Sequence, residues 1–530
     1  MNSPEDTIIT NQRIIQEELD LTTKYICENI DKSLIIFCNP LSGNKEGRII
    51  LNMMDHYISK EKYRLIDYQY LLTGKKYEPI KAIFFDLINK ENNNKGQKLL
   101  KHTAERCIIN KENNLPENFW KIKVLIAGGD GTILSMVDSF IKNGIDINFC
   151  TFGHIPLGTA NDLSNSLGFS DHISLTEGDM DGLYSILKKY YDAQFGKVDI
   201  WKIDLQLDTN EGEIIINKKT GKDILKDENG NIIKRYMRSF INYISLGYDA
   251  RVGYNFDSHR TNSRCLNKCV YFIEGTKKMF CRKTIPVKKF IETFTVYNSD
   301  ENSVNQESFF TNYKGENNID GKGSNIISNE TNNQNDTNIN NSLLFNSRKD
   351  YKIKFQFVSE NNLHSTNILN NDNNKCLILK GNPCSIIFQN ISNYMSGVND
   401  IWGKAENQLS IEIKNGTNVD NQKYNNKLLS MANNKQLFDD KMLEVFTFDN
   451  GFETGLEKII RGQAKKIYHG RGPIEIKFYD TPKYEKEDKE NRIYFNLDGE
   501  FFHIVKPISL RIELNREYCD GQLPFLIGHN

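Results

Sequence analysis

The stretch VLIAGGDGTILSMV, residues 124–137, constrains the fold of this chain more than any other feature. It runs from an apolar strand through a glycine turn into a helical pattern. Its glycines allow positive φ and let the backbone approach anionic oxygens closely, and the helix after Thr132 offers unpaired N–H groups at its N-terminus. The order strand, glycine turn, helix predicts a phosphate-binding turn in an α/β layer.

Asp130 stands in the middle of this turn, between Gly129 and Gly131. A bare carboxylate repels phosphate, so its presence is unexpected in a site built only to bind anions. A carboxylate fits if it takes a proton from an attacking hydroxyl or contacts Mg²⁺ directly or through water. The alternative is a tight strand-to-helix turn in which the aspartate is only a cap.

Two further glycine turns follow apolar strands. Asn39-Pro40-Leu41-Ser42-Gly43 leaves the strand predicted at 34–38 and offers an amide, a hydroxyl and free N–H groups. Pro156-Leu157-Gly158-Thr159-Ala160-Asn161-Asp162 precedes a helix, with Asn161 or Asp162 as its expected cap. Because open α/β sheets bind ligands at the carboxyl ends of their strands, we expect the three turns to converge there.

The common nucleotide signatures do not occur in the sequence. There is no GxxxxGK[ST], no GxGxxG following a strand with an acidic residue about twenty positions on, and no HRD or DFG arrangement. A P-loop ATPase, a Rossmann dehydrogenase and a protein kinase are therefore disfavoured.

Strand and helix patterns divide the chain into two main parts. Strands at 34–38, 63–71, 124–128 and 148–153 alternate with helical stretches at 46–58 and 132–142, which predicts a largely parallel sheet. Beyond about residue 195 many short alternating strands predict a sandwich or barrel, interrupted by one helix near 267–280. We predict a leader at 1–32, an α/β domain at 33–195, a β-rich domain at 196–510 and a C-terminal segment at 511–530.

Three polar stretches interrupt the β pattern, at about 208–234, 298–349 and 414–427. The second is dense in asparagine and has few apolar residues. Such a segment cannot bury enough surface to offset the entropy of ordering it, so we expect a surface insertion.

Charge and cysteine usage limit the partners. The chain carries 68 basic and 69 acidic residues, so no overall field favours nucleic acid. Its ten cysteines form no CxxC pair or zinc pattern and are read as reduced thiols of a cytoplasmic protein. No apolar run approaches the ~20 residues that span a bilayer, so an enzyme acting on a lipid must associate with the membrane transiently.

The three motifs NPxSG, GGDGT and PLGTxND, in this order, resemble the diacylglycerol kinase and sphingosine kinase superfamily. The segment 240–260 resembles the FxNxxSxGxDA stretch of eukaryotic diacylglycerol kinases, and 390–403 resembles their Asn-Ile…Trp-Gly segment. Leu437–Val445 is similar to the family's NDGxLEV, with Lys441 in place of the glycine, and 497–500 matches its closing DGE. The likeness covers about 33–510, apart from the polar inserts.

The resemblance implies a fold and a set of ligands. The fold is an N-terminal α/β domain with a parallel sheet, like that of phosphofructokinase and NAD kinase, followed by a β-rich sandwich domain. ATP then lies between the domains, Mg²⁺ bridges its phosphates, and a lipid hydroxyl attacks the γ-phosphate. The implied cofactor-binding residues are Asn39, Pro40, Ser42, Gly43, Thr73, Gly128, Gly129, Gly131, Thr132, Gly158, Thr159, Asn161 and Asp162.

The resemblance also implies catalytic carboxylates. Asp130 and Glu500 are both candidates for the base, and Asp498 would orient Glu500 or hold Mg²⁺ with Asp130. Without the family, the sequence Asp498-Gly499-Glu500 favours an ordinary hairpin turn. A structural Mg²⁺ site of bacterial relatives maps onto Asp440.

A basic segment, TKKMFCRKTIPVKK at 276–289, surrounds Met279 and Phe280 with Lys277, Lys278 and further cations. Positive charge beside apolar side chains suits an anionic membrane surface. The alternative is a solvated helix end whose apolar residues face the core.

The function predicted from these patterns is an ATP-dependent diacylglycerol kinase that makes phosphatidic acid. A sphingosine or ceramide kinase is the nearest enzyme alternative, and a nucleotide- or lipid-binding regulatory protein without turnover is the alternative from another class. NAD kinases share GGDGT, but their NxGxxGFL strand-turn is missing. The sequence leaves the oligomeric state open.

Overall fold

The computed structural model describes scattered positions between 20 and 30 and most of the chain from 33 onwards. The described ranges are 33–43, 45–57, 81–112, 121–170, 173–218, 220–259, 261, 264–281, 285–298, 351–358, 375–394, 398–405, 407–408, 410–413, 435–457, 459–480 and 493–528. Most of the predicted leader, the strand predicted at 63–71, Thr73, the stretch 414–427 and nearly all of the Asn-rich insertion lie outside these residues.

The first part of the chain alternates strands and helices, as the sequence predicts. Its elements are β1 (Ser33–Cys38), α1 (Glu46–Tyr57), β2 (Lys81–Asp86), α2 (Lys90–Glu112), β3 (Ile122–Gly128), α3 (Asp130–Lys142), β4 (Cys150–Pro156), α4 (Asp162–Ser166), α5 (Met180–Tyr191) and β5 (Gln194–Asp199).

These strands form a six-stranded sheet in the order β2-β1-β3-β4-β25-β5, in which β25 (Gln522–Ile527) comes from the far end of the chain. β1, β2, β3, β4 and β25 pair in parallel, whereas β25 and β5 are antiparallel. Every residue of β1, β3 and β4 is buried, as in strands of a sheet covered on both faces. The sequence did not predict that the C-terminal segment returns to this sheet.

The second part is rich in strands. Its elements before the insertion are β6 (Trp201–Leu207), β7 (Glu213–Lys218), β8 (Gly221–Ile224), β9 (Arg235–Phe240), β10 (Tyr243–Gly247), α6 (Tyr248–His259), α7 (Arg264–Cys281) and β11 (Ile291–Asn298). Those after it are β12 (Tyr351–Val358), β13 (Lys375–Lys380), β14 (Ser385–Gln389), β15 (Asn393–Tyr394), β16 (Val398–Asn399), α8 (Ile401–Lys404), β17 (Asn407–Gln408), β18 (Ser410–Ile413), β19 (Leu443–Phe448), α9 (Gly451–Leu456), β20 (Lys465–Gly470), β21 (Ile474–Phe478), β22 (Ile493–Leu497), β23 (Glu500–Val505) and β24 (Pro507–Leu514).

Two large, mostly antiparallel sheets pack face to face in this part. Their strand orders are β17-β20-β19-β14-β10-β22-β23-β7-β8 and β18-β13-β12-β11-β21-β24-β6-β9. Side chains of both sheets meet in one core: the Phe294 ring of β11 lies 6.0 Å from that of Phe388 in β14, and Tyr236 of β9 lies 5.8 Å from Phe502 of β23. The predicted sandwich is confirmed as this pair of sheets.

Two predicted strands are each broken into two. The strand expected at 198–207 changes sheet at Ile200: β5 belongs to the first sheet and β6 to the sandwich. The strand expected at 240–247 bends at Ile241 and Asn242, between β9 and β10, and the two halves enter different sheets. Apolar alternation continues through both breaks because the core continues on either side, so periodicity alone does not reveal them.

Two further predictions differ from the structure. The polar stretch at about 208–234 does not interrupt the β pattern, because it contains the β7–β8 hairpin at the sheet edge. The second part contains a helix, α6, that the sequence analysis missed, beside the predicted α7. Its glycine and polar residues gave no clear helical period, but residues 248–254 are all buried, and the helix packs against β22 and β23. Of the helices that the structure describes, none is long and apolar enough to cross a membrane.

Candidate active site

The GGDGT turn joins β3 to α3. Leu157 donates its N–H to the Gly128 carbonyl at 2.8 Å, and His154 Nε2 lies 3.1 Å from the same oxygen. A Cβ atom on Gly128 would lie 2.6 Å from Thr132 Oγ1, so no larger residue fits without moving the threonine. The turn is therefore tied to the neighbouring strand β4 and packed tightly onto its own helix.

The PLGTAND turn lies directly against the GGDGT turn. A Cβ atom on Gly158 would come within 2.8 Å of the Gly129 Cα atom, so the two backbones touch where both residues are glycine. Asn161, in the left-handed region at φ 53, folds its side chain back so that Oδ1 accepts from Gly158 N and Nδ2 donates to Gly158 O. The two motifs form one continuous surface.

The NPLSG turn lies beside the other two. Asn39 donates its N–H to the Ala127 carbonyl at 2.9 Å, and its Oδ1 accepts from Leu41 N at 3.0 Å. Gly43 has φ 60, a conformation that favours glycine. Since β1, β3 and β4 are parallel neighbours, all three turns leave the same edge of the sheet.

Asp130 is the first residue of α3, but its carboxylate reaches across to the start of α4. Oδ2 accepts from Asp162 N at 3.1 Å, and Oδ1 lies 3.4 Å from Leu163 N and 3.6 Å from His154 Nδ1. Of the two expected caps, Asn161 and Asp162, Asn161 occupies the N-cap position, but its side chain makes no cap bond and Asp130 accepts the first N–H groups instead.

Burial shifts the pKa values of Asp130 and His154. It raises the pKa of Asp130 to about 6, although the N–H groups of Asp162 and Leu163 act in the opposite direction. Burial also lowers the pKa of His154 to about 4, so the imidazole beside Asp130 is neutral at physiological pH. Asp130 thus titrates much closer to neutrality than an exposed aspartate.

Asp498 comes from the turn between β22 and β23, in the second part of the chain. Its carboxylate accepts three backbone N–H groups, those of Ile241 at 2.7 Å, Asn242 at 2.9 Å and Tyr243 at 3.0 Å. These are the residues of the bend between β9 and β10, so Asp498 holds that bend in place. Burial and, to a smaller extent, the nearby Asp130 charge raise the pKa of Asp498 to about 7, against the effect of the three N–H groups.

Glu500 faces the GGDGT turn from the same hairpin. A Cβ atom on Gly131 would lie 3.7 Å from Glu500 Oε1. The Arg238 guanidinium holds the carboxylate with two hydrogen bonds, Nη2 to Oε1 at 2.7 Å and Nη1 to Oε2 at 2.5 Å. Burial lowers the pKa of Arg238, but the Glu500 hydrogen bond and its charge more than offset this and raise it, so the pair is ionic.

The structure adds three residues that the sequence analysis did not assign to the site: Arg238, Asn242 and Tyr243. The Asn242 side chain hydrogen bonds Asp130, and the Tyr243 hydroxyl donates to Asp162 Oδ2 at 3.2 Å. Asn242 is the asparagine of the FxNxxSxGxDA pattern, so that motif could have identified it as a site residue. Arg238 belongs to no recognised motif, and only the tertiary fold brings it to Glu500.

Asp440 lies apart from these carboxylates, in a second acidic group with Asp199. Its Oδ1 accepts from Met442 N at 2.9 Å, and the adjacent Lys441 N–H donates to Asp199 at 2.5 Å. Lys441 has φ 60, so it adopts the left-handed turn for which the family pattern uses glycine. Burial raises the pKa of Asp440 to about 6 and that of Asp199 to about 7.

Among the described residues, no three His, Cys, Asp or Glu side chains are grouped as a metal site. Any magnesium ion at Asp130 and Asp498 would therefore need phosphate or water oxygens to complete its shell, which is the usual manner of binding for Mg²⁺.

The two parts of the chain are similar to two known protein families of one enzyme class. Residues 33–183 match the model described as "Diacylglycerol kinase catalytic domain", and residues 239–316 and 332–501 match "Diacylglycerol kinase accessory domain". Together the matches include all three turns, the β9–β10 bend and the hairpin of Asp498 and Glu500.

Individual relatives are distant. The chain is 26% identical over 269 residues to Diacylglycerol kinase 7 of Arabidopsis thaliana, covering 47% of this chain and 49% of the relative. It is 27% identical over 259 residues to Diacylglycerol kinase 4 of the same plant, covering 45% and 47%. It is 26% identical over 261 residues to human Diacylglycerol kinase iota, covering 47% and 19%. The alignments thus span about half the length of the plant relatives.

Proposed function

The chain belongs to the diacylglycerol kinase family, and on this premise we propose that it transfers the γ-phosphate of ATP to the hydroxyl of diacylglycerol, giving phosphatidic acid. One observation carries the proposal: the hairpin of Asp498 and Glu500 lies against the GGDGT turn, so glycine-rich backbone and three carboxylates, those of Asp130, Asp498 and Glu500, lie close together. Phosphoryl transfer needs chiefly positioning and neutralisation of charge, and this set of groups suits it.

The three turns are the proposed nucleotide site. Their glycines allow phosphate oxygens to approach the backbone, and the 13-residue helix α3 directs its N-terminus toward the same edge. We assign ATP contacts to Asn39, Ser42, Gly43 and the glycines and hydroxyls of the other two turns, as the resemblance implies. Thr73 stays in this assignment as a prediction, because it lies outside the described residues.

The reaction requires that a carboxylate accept the proton of the lipid hydroxyl. The oxygen then forms a bond to the γ-phosphorus, the bond from that phosphorus to the β–γ bridging oxygen breaks, and ADP leaves with the electron pair. Asp130 is buried and titrates near neutrality, which suits a general base. Glu500 is more exposed and is held by Arg238, so we assign it the alternative role of base or of orienting the acceptor.

Asp498 is proposed as a positioning residue more than as a metal ligand. Both of its oxygens already accept backbone N–H groups, and its bonds fix Asn242, which in turn contacts Asp130. Magnesium, when bound with ATP, would neutralise the phosphate charge, and Asp130 with Asp498 would be the carboxylates available to it.

A structural magnesium ion at Asp440 is a separate proposal. The left-handed Lys441 preserves the turn, and Asp440, Asp199 and backbone oxygens are chemically suitable hard ligands. Removal of divalent ions should then lower the thermal stability of the protein in the absence of nucleotide.

Side-by-side assays test the function. Purified protein with labelled ATP and Mg²⁺ would be offered diacylglycerol, sphingosine and ceramide in the same mixed micelles, and the labelled product identified. Labelled phosphatidic acid as the main product supports the proposal; a labelled sphingoid product would replace it with the sphingosine or ceramide alternative. An Asp130→Asn protein that transfers as fast as wild type would remove Asp130 from the mechanism, and no transfer by folded wild type would favour the regulatory alternative.

A further inference from the structure

His154 is a fully buried histidine on strand β4, beside the GGDGT turn. Its relative exposure is 0%, and all seven residues of the strand are buried. A polar ring at such a position costs free energy that an aliphatic side chain of similar size would not. No motif of the sequence assigns His154 a role, and the proton transfer proposed above does not use it.

The hydrogen bond of the ring defines its tautomer. Nε2 lies 3.1 Å from the Gly128 carbonyl oxygen, which can only accept, so Nε2 carries a hydrogen and donates it. Nδ1 is buried and has no hydrogen-bond partner among the described residues. Burial lowers the pKa of His154 to about 4, so Nδ1 carries no proton at neutral pH. His154 is therefore a single donor, directed at the first glycine of the turn.

The backbone of His154 is firmly held. Its carbonyl accepts a hydrogen bond from the Tyr190 hydroxyl of α5, and the Tyr190 ring stacks on that of Phe169 with centroids 4.3 Å apart. Within the sheet, His154 pairs with Ile126 of β3. The ring thus reaches Gly128, two residues further along β3, from a fixed position.

The ring also lies beside Asp130 without binding it. Nδ1 is 3.6 Å from Asp130 Oδ1, and each of these atoms offers only a lone pair to the other. His154 therefore does not compete with the N–H groups of Asp162 and Leu163 for the carboxylate. Its contribution to the turn is made through the backbone.

That contribution fixes the direction of the peptide bond between Gly128 and Gly129. The Gly128 carbonyl points toward β4, where it accepts from Leu157 N at 2.8 Å as well as from His154. In a planar trans peptide the N–H points opposite to the carbonyl, so the Gly129 N–H points away from β4. Since β3 lies between β4 and β1, this N–H is directed to the side of β1.

The NPLSG turn leaves β1 on this side. The Ala127 carbonyl agrees with this direction, because it alternates with that of Gly128 and accepts from Asn39 N at 2.9 Å. No described residue accepts the Gly129 N–H. A phosphate oxygen between the two turns is a suitable acceptor, since a donor fixed in advance needs no reorganisation when an anion binds.

We propose that His154 is a positioning residue of the nucleotide site: by donating to the Gly128 carbonyl, it directs the Gly129 N–H at a phosphate of ATP between the NPLSG and GGDGT turns. The inference rests on the proposed function, because ATP is the ligand assigned to these turns. His154 is buried behind the turn and acts through Gly128. Its loss should therefore weaken the binding of phosphate and leave the binding of adenine and ribose unchanged.

Two substitutions separate the hydrogen bond from the volume of the ring. In His154→Gln the side-chain amide can donate from the position of Nε2, whereas His154→Leu fills the space and donates nothing. Affinities for a nonhydrolysable ATP analogue and for adenosine are measured with Mg²⁺ and without lipid, by competition with a fluorescent nucleotide. We expect His154→Leu to bind the analogue about tenfold more weakly and adenosine as wild type does. His154→Gln should recover most of the affinity for the analogue.

The matched control is His503→Leu. His503 is also a buried histidine, 5% exposed, and its ring lies 6.3 and 5.7 Å from those of Tyr254 and Tyr494 in the second part of the chain. Its loss should lower the melting temperature without changing the affinity for the analogue. Melting temperatures of all variants show how much of any change is loss of fold.

NMR of protein labelled with nitrogen-15 histidine tests the hydrogen bond directly. The ring signals that disappear in His154→Gln should be those of a neutral imidazole protonated at Nε2. A His154 ring protonated at Nδ1 would contradict the proposed direction of the bond.

Three binding results would overturn the proposal: His154→Leu that binds the analogue as tightly as wild type, His154→Leu that loses adenosine affinity by the same factor, or equal losses in His154→Leu and His154→Gln. Phosphate transfer to diacylglycerol is measured in parallel. A wild type that binds the analogue in this His154-dependent way but transfers no phosphate would defeat the proposed function and leave the inference standing.

Discussion

The guanidinium of Arg238 binds the carboxylate of Glu500 through two hydrogen bonds, beside the GGDGT turn. The two residues are 262 positions apart in the sequence, on strands β9 and β23 of different sheets. A cation at this point both orients Glu500 and offsets the negative charge of three neighbouring carboxylates. Guanidinium groups bind carboxylate and phosphate in the same forked geometry, so Arg238 is also suited to an incoming phosphate.

Replacing Arg238 by alanine should lower kcat about 100-fold, because Glu500 loses its orientation and the site loses its cation. Arg238→Lys should restore only part of the activity, since a lysine cannot make the forked contact. Phosphate transfer from labelled ATP measures both. The control is Arg235→Ala on the same strand, which breaks the comparable exposed pair with Asp204 and should leave kcat unchanged. Equal loss in both variants would contradict a specific role for Arg238.

The pH dependence of kcat/KM should report Asp130. A general base works only when ionised, and burial raises the pKa of Asp130 to about 6, so activity should be full above this pH and fall as the pH drops through it. Initial rates between pH 5 and 8 at constant ionic strength measure the profile, with melting curves to exclude unfolding. A profile that stays flat down to pH 5 would argue against Asp130 as the proton acceptor.

A methyl group at Gly158 should separate two of the motif turns. In Gly158→Ala the new Cβ would approach Gly129 Cα to 2.8 Å and Asn161 Oδ1 to 2.6 Å, so the backbone must shift, at a cost of about 1–3 kcal/mol. The affinity for nucleotide should fall, and the urea concentration at the midpoint of unfolding should fall as well. The control, Gly455→Ala in α9, meets no atom within 4 Å and should not lower stability. Unchanged affinity for a nonhydrolysable ATP analogue in Gly158→Ala would mean that the contact of the turns is unimportant.

Asp498→Asn tests whether this residue acts mainly by holding the β9–β10 bend. An amide nitrogen would face a backbone N–H that the carboxylate now accepts, leaving a buried donor unsatisfied and costing roughly 2 kcal/mol of unfolding free energy. Denaturant unfolding measures the loss, and Asp520→Asn, which changes an exposed side chain, serves as the control. A variant as stable as wild type but inactive would show instead that Asp498 acts in the chemistry.

Much of the α/β layer could be predicted from the sequence. The apolar runs of β1, β3 and β4 are buried on both faces, and each is followed by a glycine turn, so strand, turn and helix were visible locally. Lys441 shows a limit of such reasoning, since a lysine in the left-handed region keeps a turn for which the family uses glycine.

What the sequence alone determined is the set of local elements: three glycine turns that follow apolar strands, the alternation of strands and helices in the α/β layer, and the carboxylates at 130, 498 and 500. The tertiary structure decided which of these groups meet. It brought β25 into the first sheet, broke two apolar runs at Ile200 and Ile241, and placed Arg238 on Glu500 and Asp498 on the backbone of Asn242. Local patterns depend on neighbours three or four residues away, whereas these contacts join residues more than 250 positions apart, and only the packing of two sheets against a third specifies them.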